Sequence, residues 1–160
     1  MKQLTLALVL LAPAAMRAQG ISFDTPSASK PGVRQHVELL SDSYIVAANK
    51  PDEIELRFRI DSGLHINSHA PKDELLLPTA VKLESLHVLN VAYPAGKPFK
   101  LNVGKGELLD VYEGEFRVRV KLAAPKGTTP VSGVLRYQAC DTASCFPPRT
   151  LPLRFVVTGQ

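Results

Sequence analysis

The sequence predicts an all-β fold, an immunoglobulin-like antiparallel β-sandwich, on three observations. Apolar and charged residues alternate with period two in several segments, the pattern of half-buried strands. Turn-forming groups such as Lys50-Pro51-Asp52, Pro94-Ala95-Gly96, Gly104-Lys105-Gly106 and Pro125-Lys126-Gly127 separate those segments. Nothing after the first residues carries a helical period, and short strands with turns throughout point to two packed sheets.

Met1-Lys2 followed by the apolar run Leu4 to Ala15 has the pattern of a secretory signal peptide, with cleavage expected after Ala18. The run is shorter than the ~20 apolar residues of a membrane span, so no stable membrane insertion is expected. Residues 1–18 are thus read as the signal and 19–160 as a single domain, with Ser27 to Gly32 a loosely ordered lead-in. Loss of Lys2 and Arg17 lowers the formal charge of +4 by two. No basic block is interleaved with aromatics, so nucleic acid is not an expected partner.

Glu53 to Ile60 is the clearest strand, with Ile54, Leu56, Phe58 and Ile60 on one face and Glu53, Glu55, Arg57 and Arg59 on the other. Leu86 to Ala92 is β-rich and less regular. Phe116 to Leu122 alternates again, Phe116, Val118, Val120 and Leu122 against Arg117, Arg119 and Lys121. Val134 to Tyr137 is a shorter strand. In the last, Leu151, Leu153, Phe155 and Val157 share a face, and Pro152 opposite them implies a sheet edge or a bulge.

The only two cysteines, Cys140 and Cys145, lie in the connection between these last two strands, with Asp141 to Ser144 between them. In an exported protein such a pair is a disulfide candidate. A thioredoxin-type site places its cysteines at a helix start, whereas Pro147-Pro148 would interrupt a helix continuing from Cys145. Asp141 opposes thiol ionisation while Arg136 and Arg149 favour it, so no strongly acidic thiol is expected. The pair suits passive exchange, in a direction set by its partners' potentials. It equally suits a structural hairpin disulfide in a secreted immunoglobulin-like binding or assembly module. A ring of about six residues would then contribute roughly 2 kcal/mol in the chain-entropy account.

The segment Tyr137-Gln138-Ala139-Cys140, a spacer, Cys145-Phe146-Pro147-Pro148 and an arginine-threonine turn resembles the redox motif of the N-terminal periplasmic domain of DsbD-type thiol:disulfide interchange proteins. Gly63-Leu64-His65-Ile66-Asn67-Ser68 with Leu77-Pro78-Thr79, Tyr93-Pro94 and Tyr112-Glu113-Gly114 resemble further landmarks of that domain, so the similarity spans about Ile54 to Val157. The resemblance implies an immunoglobulin-like periplasmic domain whose cysteine pair relays electrons from a thioredoxin-like reductant to oxidised thioredoxin-like proteins, including disulfide isomerases and proteins of cytochrome c biogenesis. It implies that Cys145 forms the mixed disulfide with partners and Cys140 resolves it, a protein-disulfide reductase activity. His65 and Asn67 align with positions near the cysteines, and Tyr137 and Phe146 flank them.

Two departures from the family pattern concern the site. The spacer is one residue shorter than in well-known members. The loop expected to cap the disulfide, Leu101 to Leu109, contains no aromatic residue, which leaves Leu108 or Leu109 to shield it or leaves it open. The sequence contains neither the membrane-spanning nor the thioredoxin-like domain of full-length members, so either the reductant is a separate protein or the chain serves a different task.

No cofactor and no metal are expected. His65 and His69 on a strand would stand ~13 Å apart, too far for one ion, and Gly63 and Pro71 make a helix poor. His36 and His87 have no partner visible in the sequence. A Gly-x-Ser-x-Gly elbow and a phosphate-binding glycine loop are absent, and Asp52-Glu53 and Asp73-Glu74 are read as turn residues, so a hydrolase is not expected.

Overall fold

The alternating segments become a ladder of paired strands in a computed structural model of the chain, which describes residues 34–100 and 108–160. The expected signal peptide and its cleavage point, the Ser27 to Gly32 lead-in, the Gly104-Lys105-Gly106 turn and residues 101–107 of the cap loop lie outside the described residues. In chain order the strands are β1 Val37–Leu39, β2 Ser43–Val46, β3 Pro51–Ile60, β4 His65–Asn67, β5 Ala80–Leu83 and β6 His87–Ala92. Then come β7 Lys97–Lys100, β8 Leu108–Glu113, β9 Glu115–Ala123, β10 Gly127–Tyr137, β11 Ala139–Cys140 and β12 Arg149–Gly159. Among the described residues there is no helix, and the immunoglobulin-like β-sandwich is the fold.

One sheet has the order β1-β3-β9-β6 and a second the order β2-β12-β10-β5. All their pairings are antiparallel except β2 beside β12. The apolar faces supply one core: Ile54, Leu56, Phe58, Val118 and Val120 from the first sheet with Leu135, Leu153, Phe155 and Val157 from the second. Each such side chain contributes roughly 1.5–3 kcal/mol through burial. The opposite face of β3 and β9 is charged and internally compensated. Glu55 pairs with Arg117 at 3.3 Å, Arg57 with Glu115 at 3.2 Å, and Arg59 with both Glu115 and Glu38 at 3.0 Å. These exposed pairs keep the face solvated more than they stabilise it.

A third sheet, β11-β4-β8-β7, was not expected from the two-sheet pattern. Three of its four strands continue strands of the main sheets. β3 leads to β4 through a turn at Gly63, β8 leads to β9 through Gly114, and β10 leads to β11 past Gln138. Gly63 and Gly114 have φ of 80° and 64°, the left-handed region that a Cβ disfavours. Tyr112 stacks on Phe116 at 4.9 Å and Phe116 on Phe58 at 5.1 Å, an aromatic row joining the third sheet to the first.

Pro152 marks neither the sheet edge nor the bulge that the sequence implied. β12 is internal in its sheet, yet β2 joins it only from Val156 onward, while Pro152 pairs with Val134 on the β10 side. The proline therefore occupies a stretch with a strand neighbour on one side only, where a missing N–H costs no ladder bond. Pro130 does the same on β10, ahead of the stretch from Gly133 that pairs with β5. Arg149 and Thr150, expected as a turn, are instead the first residues of β12.

Candidate functional site

Cys140 ends β11 and faces Cys145 across a narrow hairpin, the two joined as a disulfide with 3.9 Å between their Cα atoms. The Phe146 N–H donates to the Ala139 carbonyl at 2.8 Å and the Asp141 N–H to the Ser144 carbonyl at 2.9 Å. Those two bonds bracket the cysteines, so Cys140 and Cys145 form a non-hydrogen-bonded pair, the position where opposite side chains come closest.

The tip of the hairpin is built by Asp141. Its Oδ1 accepts from the N–H groups of both Ala143 and Ser144 at 2.7 Å, an Asx turn that needs a carboxylate or amide at that position. The two amides hold the Asp141 carboxyl below its ordinary value, with His65 adding a smaller effect in the same direction.

The two cysteines differ in exposure. Cys140 is 2% exposed, whereas Cys145 belongs to an exposed run from Thr142 to Cys145.

Phe146 is fixed from three directions. Its backbone is tied at the N–H to Ala139, its carbonyl accepts from Gln138 Nε2 at 3.1 Å, and its ring lies 4.7 Å from that of His36. His36 is itself held by Asp61, with Nδ1 3.2 Å from the carboxylate and its carbonyl accepting the Asp61 N–H at 2.9 Å. The His36 N–H donates to the Tyr137 hydroxyl at 2.9 Å, and that hydroxyl donates to Gln35 Oε1 at 2.9 Å. Tyr137 is fully buried, and burial raises its pKa. Its conspicuous place before the cysteines in the sequence thus corresponds to a buried strut.

His65 lies directly opposite Cys140 in the pairing of β11 with β4, with Glu113 of β8 on its other side. It is 2% exposed, its ring packs 4.1 Å from that of Phe99, and Nε2 has no hydrogen-bond partner among the described residues. Burial lowers its pKa, with Glu113 and Asp141 pulling the other way.

Asn67 is fully buried, and its Nδ2 donates to the Leu77 carbonyl at 3.1 Å while its backbone carbonyl accepts from Thr79 Oγ1 at 2.6 Å. It therefore fastens the 68–79 connection. His69 points elsewhere: it stacks on Tyr93 at 3.7 Å, with Nδ1 3.0 Å from the Thr79 carbonyl. Leu109 is buried on β8 opposite Phe99 of β7, and Leu108 is 56% exposed. Both leucines line a cleft with Lys72, Asp73 and Leu76.

Sequence reasoning missed His36, Asp61 and Phe99. Phe99 stands just ahead of the expected cap loop, so a wider window would have found an aromatic residue there. His36 is separated from Phe146 by most of the chain, and no local signal joins them.

The profile of the N-terminal domain of thiol:disulfide interchange protein DsbD matches residues 36–155. Among solved structures, the chain is similar to the Neisseria meningitidis DsbD N-terminal domain in the reduced form, at 23% identity and a TM-score of 0.47, over 70% of this chain and 82% of that one. It is also similar to the N-terminal periplasmic domain of ScsB from Proteus mirabilis, at 15% identity and a TM-score of 0.50, over 74% of this chain and 44% of that one. No curated protein matches the chain. The family match takes in the hairpin, its two cysteines and the strands on both sides of it, and on that ground the chain belongs to the DsbD N-terminal domain family.

Proposed function

We propose that the chain is a periplasmic thiol-disulfide exchange protein, exported through residues 1–18 and functioning as the domain of residues 19–160. It relays electrons between a thioredoxin-like reductant and oxidised thioredoxin-like acceptors through Cys140 and Cys145. The observation that carries this reading is the unequal exposure of the two cysteine residues, Cys145 exposed and Cys140 buried. A reductant's thiolate attacks Cys145 Sγ, the Cys140–Cys145 bond breaks, and Cys140 leaves with the electron pair. The reductant's second thiol then displaces Cys145 and leaves the domain with both thiols. In the forward transfer, Cys145 as thiolate attacks an acceptor disulfide, Cys140 attacks Cys145 in the mixed disulfide, and the acceptor departs with two electrons. No charge beside the hairpin needs to make either thiol strongly acidic, since a partner's thiolate can open each exchange.

Equilibration with glutathione buffers tests the reading against a purely structural hairpin disulfide. Exchange requires a potential within reach of periplasmic thioredoxin-like proteins, whereas a value far below about −300 mV marks a structural disulfide.

A further inference from the structure

We infer that His65 is the proton acceptor for the buried sulfur Cys140, serving the step in which Cys140 attacks Cys145 and releases a partner. The inference rests on the exchange reading above and adds a residue to it. The two residues are direct cross-strand neighbours, which places their Cβ atoms within about 5.5 Å on one face of the sheet. His65 Nε2 is buried without a hydrogen-bond partner among the described residues, a costly state for a polar atom. Reduction creates, on the adjacent strand, a Cys140 thiol able to donate to it. The orphaned nitrogen of the oxidised protein thereby acquires a partner in the reduced one.

The surroundings favour the form of His65 that accepts a proton. Burial among Phe99 and the neighbouring strands holds the imidazole neutral, while the carboxylates of Glu113 on β8 and Asp141 at the hairpin tip stabilise the imidazolium once it forms. In the resolving step the Cys140 thiol gives its proton to Nε2. Its thiolate attacks Cys145 Sγ in the mixed disulfide, the Cys145–partner bond breaks, and the partner leaves as a thiolate that takes up a proton from solvent. Over mixed-disulfide formation and resolution together, Cys140 and Cys145 lose two electrons and the partner gains two. His65 then returns its proton to water. A thiol as poorly exposed as Cys140 has little access to water as a base, so a neighbouring acceptor matters more for it than for Cys145.

Oxidised glutathione serves as the probe for the full chain, since it needs no protein partner. The reduced protein forms a Cys145–glutathione mixed disulfide, and closure is followed as release of the second glutathione across a pH series. His65→Phe retains a ring against Phe99, and His65→Gln is the second variant should the first fold poorly. Both are expected to slow closure at neutral pH roughly tenfold or more, with the difference shrinking at alkaline pH where Cys140 ionises unaided. In a Cys145→Ala background, the ultraviolet absorbance of the Cys140 thiolate is expected to appear at lower pH when His65 is replaced, because the thiol loses the acceptor that stabilises its protonated form. Closure profiles and Cys140 titrations unchanged by either substitution overturn the inference. If glutathione fails to close the disulfide even in the wild type, the exchange reading is lost, and the Cys140 titration still decides the role of His65.

Discussion

The ring of His36 lies against the ring of Phe146 at 4.7 Å, fastening the segment before β1 to the residue that follows the exposed cysteine. Asp61 holds the other side of the imidazole, so the hairpin's outer limb rests on two pieces of chain remote from it in sequence. His36→Ala is expected to lower stability by roughly 1–3 kcal/mol, mainly from lost aromatic packing, since Asp61 keeps Arg34 as a partner at 3.4 Å. Chemical denaturation of the oxidised protein measures it. Alkylation of Cys145 in the reduced variant should also quicken as Phe146 loses its support.

Tyr137→Phe isolates a single hydroxyl. That hydroxyl accepts the His36 N–H and donates to Gln35, and removing it leaves a buried N–H without a partner. A loss of about 1–3 kcal/mol is expected, with the exchange rate of Cys145 changed little, because the hydroxyl faces the His36 segment and not the disulfide. Parallel denaturation and glutathione kinetics separate the two effects.

Acid should weaken the hairpin tip through Asp141. Its folded pKa lies below the ordinary value of 3.8, so it contributes stability above that value and loses it as pH falls through the folded pKa. Asp52 and Glu115 are shifted the same way, by the backbone amides of Ala47 and Glu53 and by the arginines Arg59 and Arg57 respectively. Stability of the wild type should therefore decline on acidification below about pH 4. Asp141→Ala should show a shallower decline, read from thermal unfolding at a series of acid pH values.

His65 acts in a higher window. Its folded pKa is lowered from 6.5 by burial, so the unfolded chain binds a proton that the folded protein refuses, and stability falls as pH drops below about 6.5 toward the folded value. His65→Phe should remove this portion of the pH dependence while leaving the lower, carboxylate portion intact. Identical unfolding curves for wild type and variant between pH 7 and 5 would contradict the assigned burial.

What could be read from the sequence follows the range of the forces involved. β3, β9 and β12 are legible because each carries its own period, apolar faces such as Ile54 to Ile60 needing only a neighbouring sheet to cover them. The hairpin was placed correctly because Val134 to Tyr137 and Leu151 to Val157 bracket it. The third sheet was not legible: His65–Asn67 and Ala139–Cys140 are too short to express a period, and they become strands by pairing with each other and with β8. The same holds for the His36 contact with Phe146, which exists only once the sandwich has closed. Pro152 implied a sheet edge or a bulge and β12 is neither, because the missing N–H faces the side of β12 that β2 reaches only from Val156 onward.

The central claim is that the exposed sulfur meets partners and the buried one resolves. Trapping with an oxidised thioredoxin-like protein tests it most directly, using reduced Cys140→Ser and reduced Cys145→Ser chains side by side on non-reducing gels. A stable mixed disulfide through Cys145 in the Cys140→Ser chain, and little or none in the Cys145→Ser chain, is the expected result. Equal trapping by both variants, or trapping through Cys140 alone, would contradict the assignment.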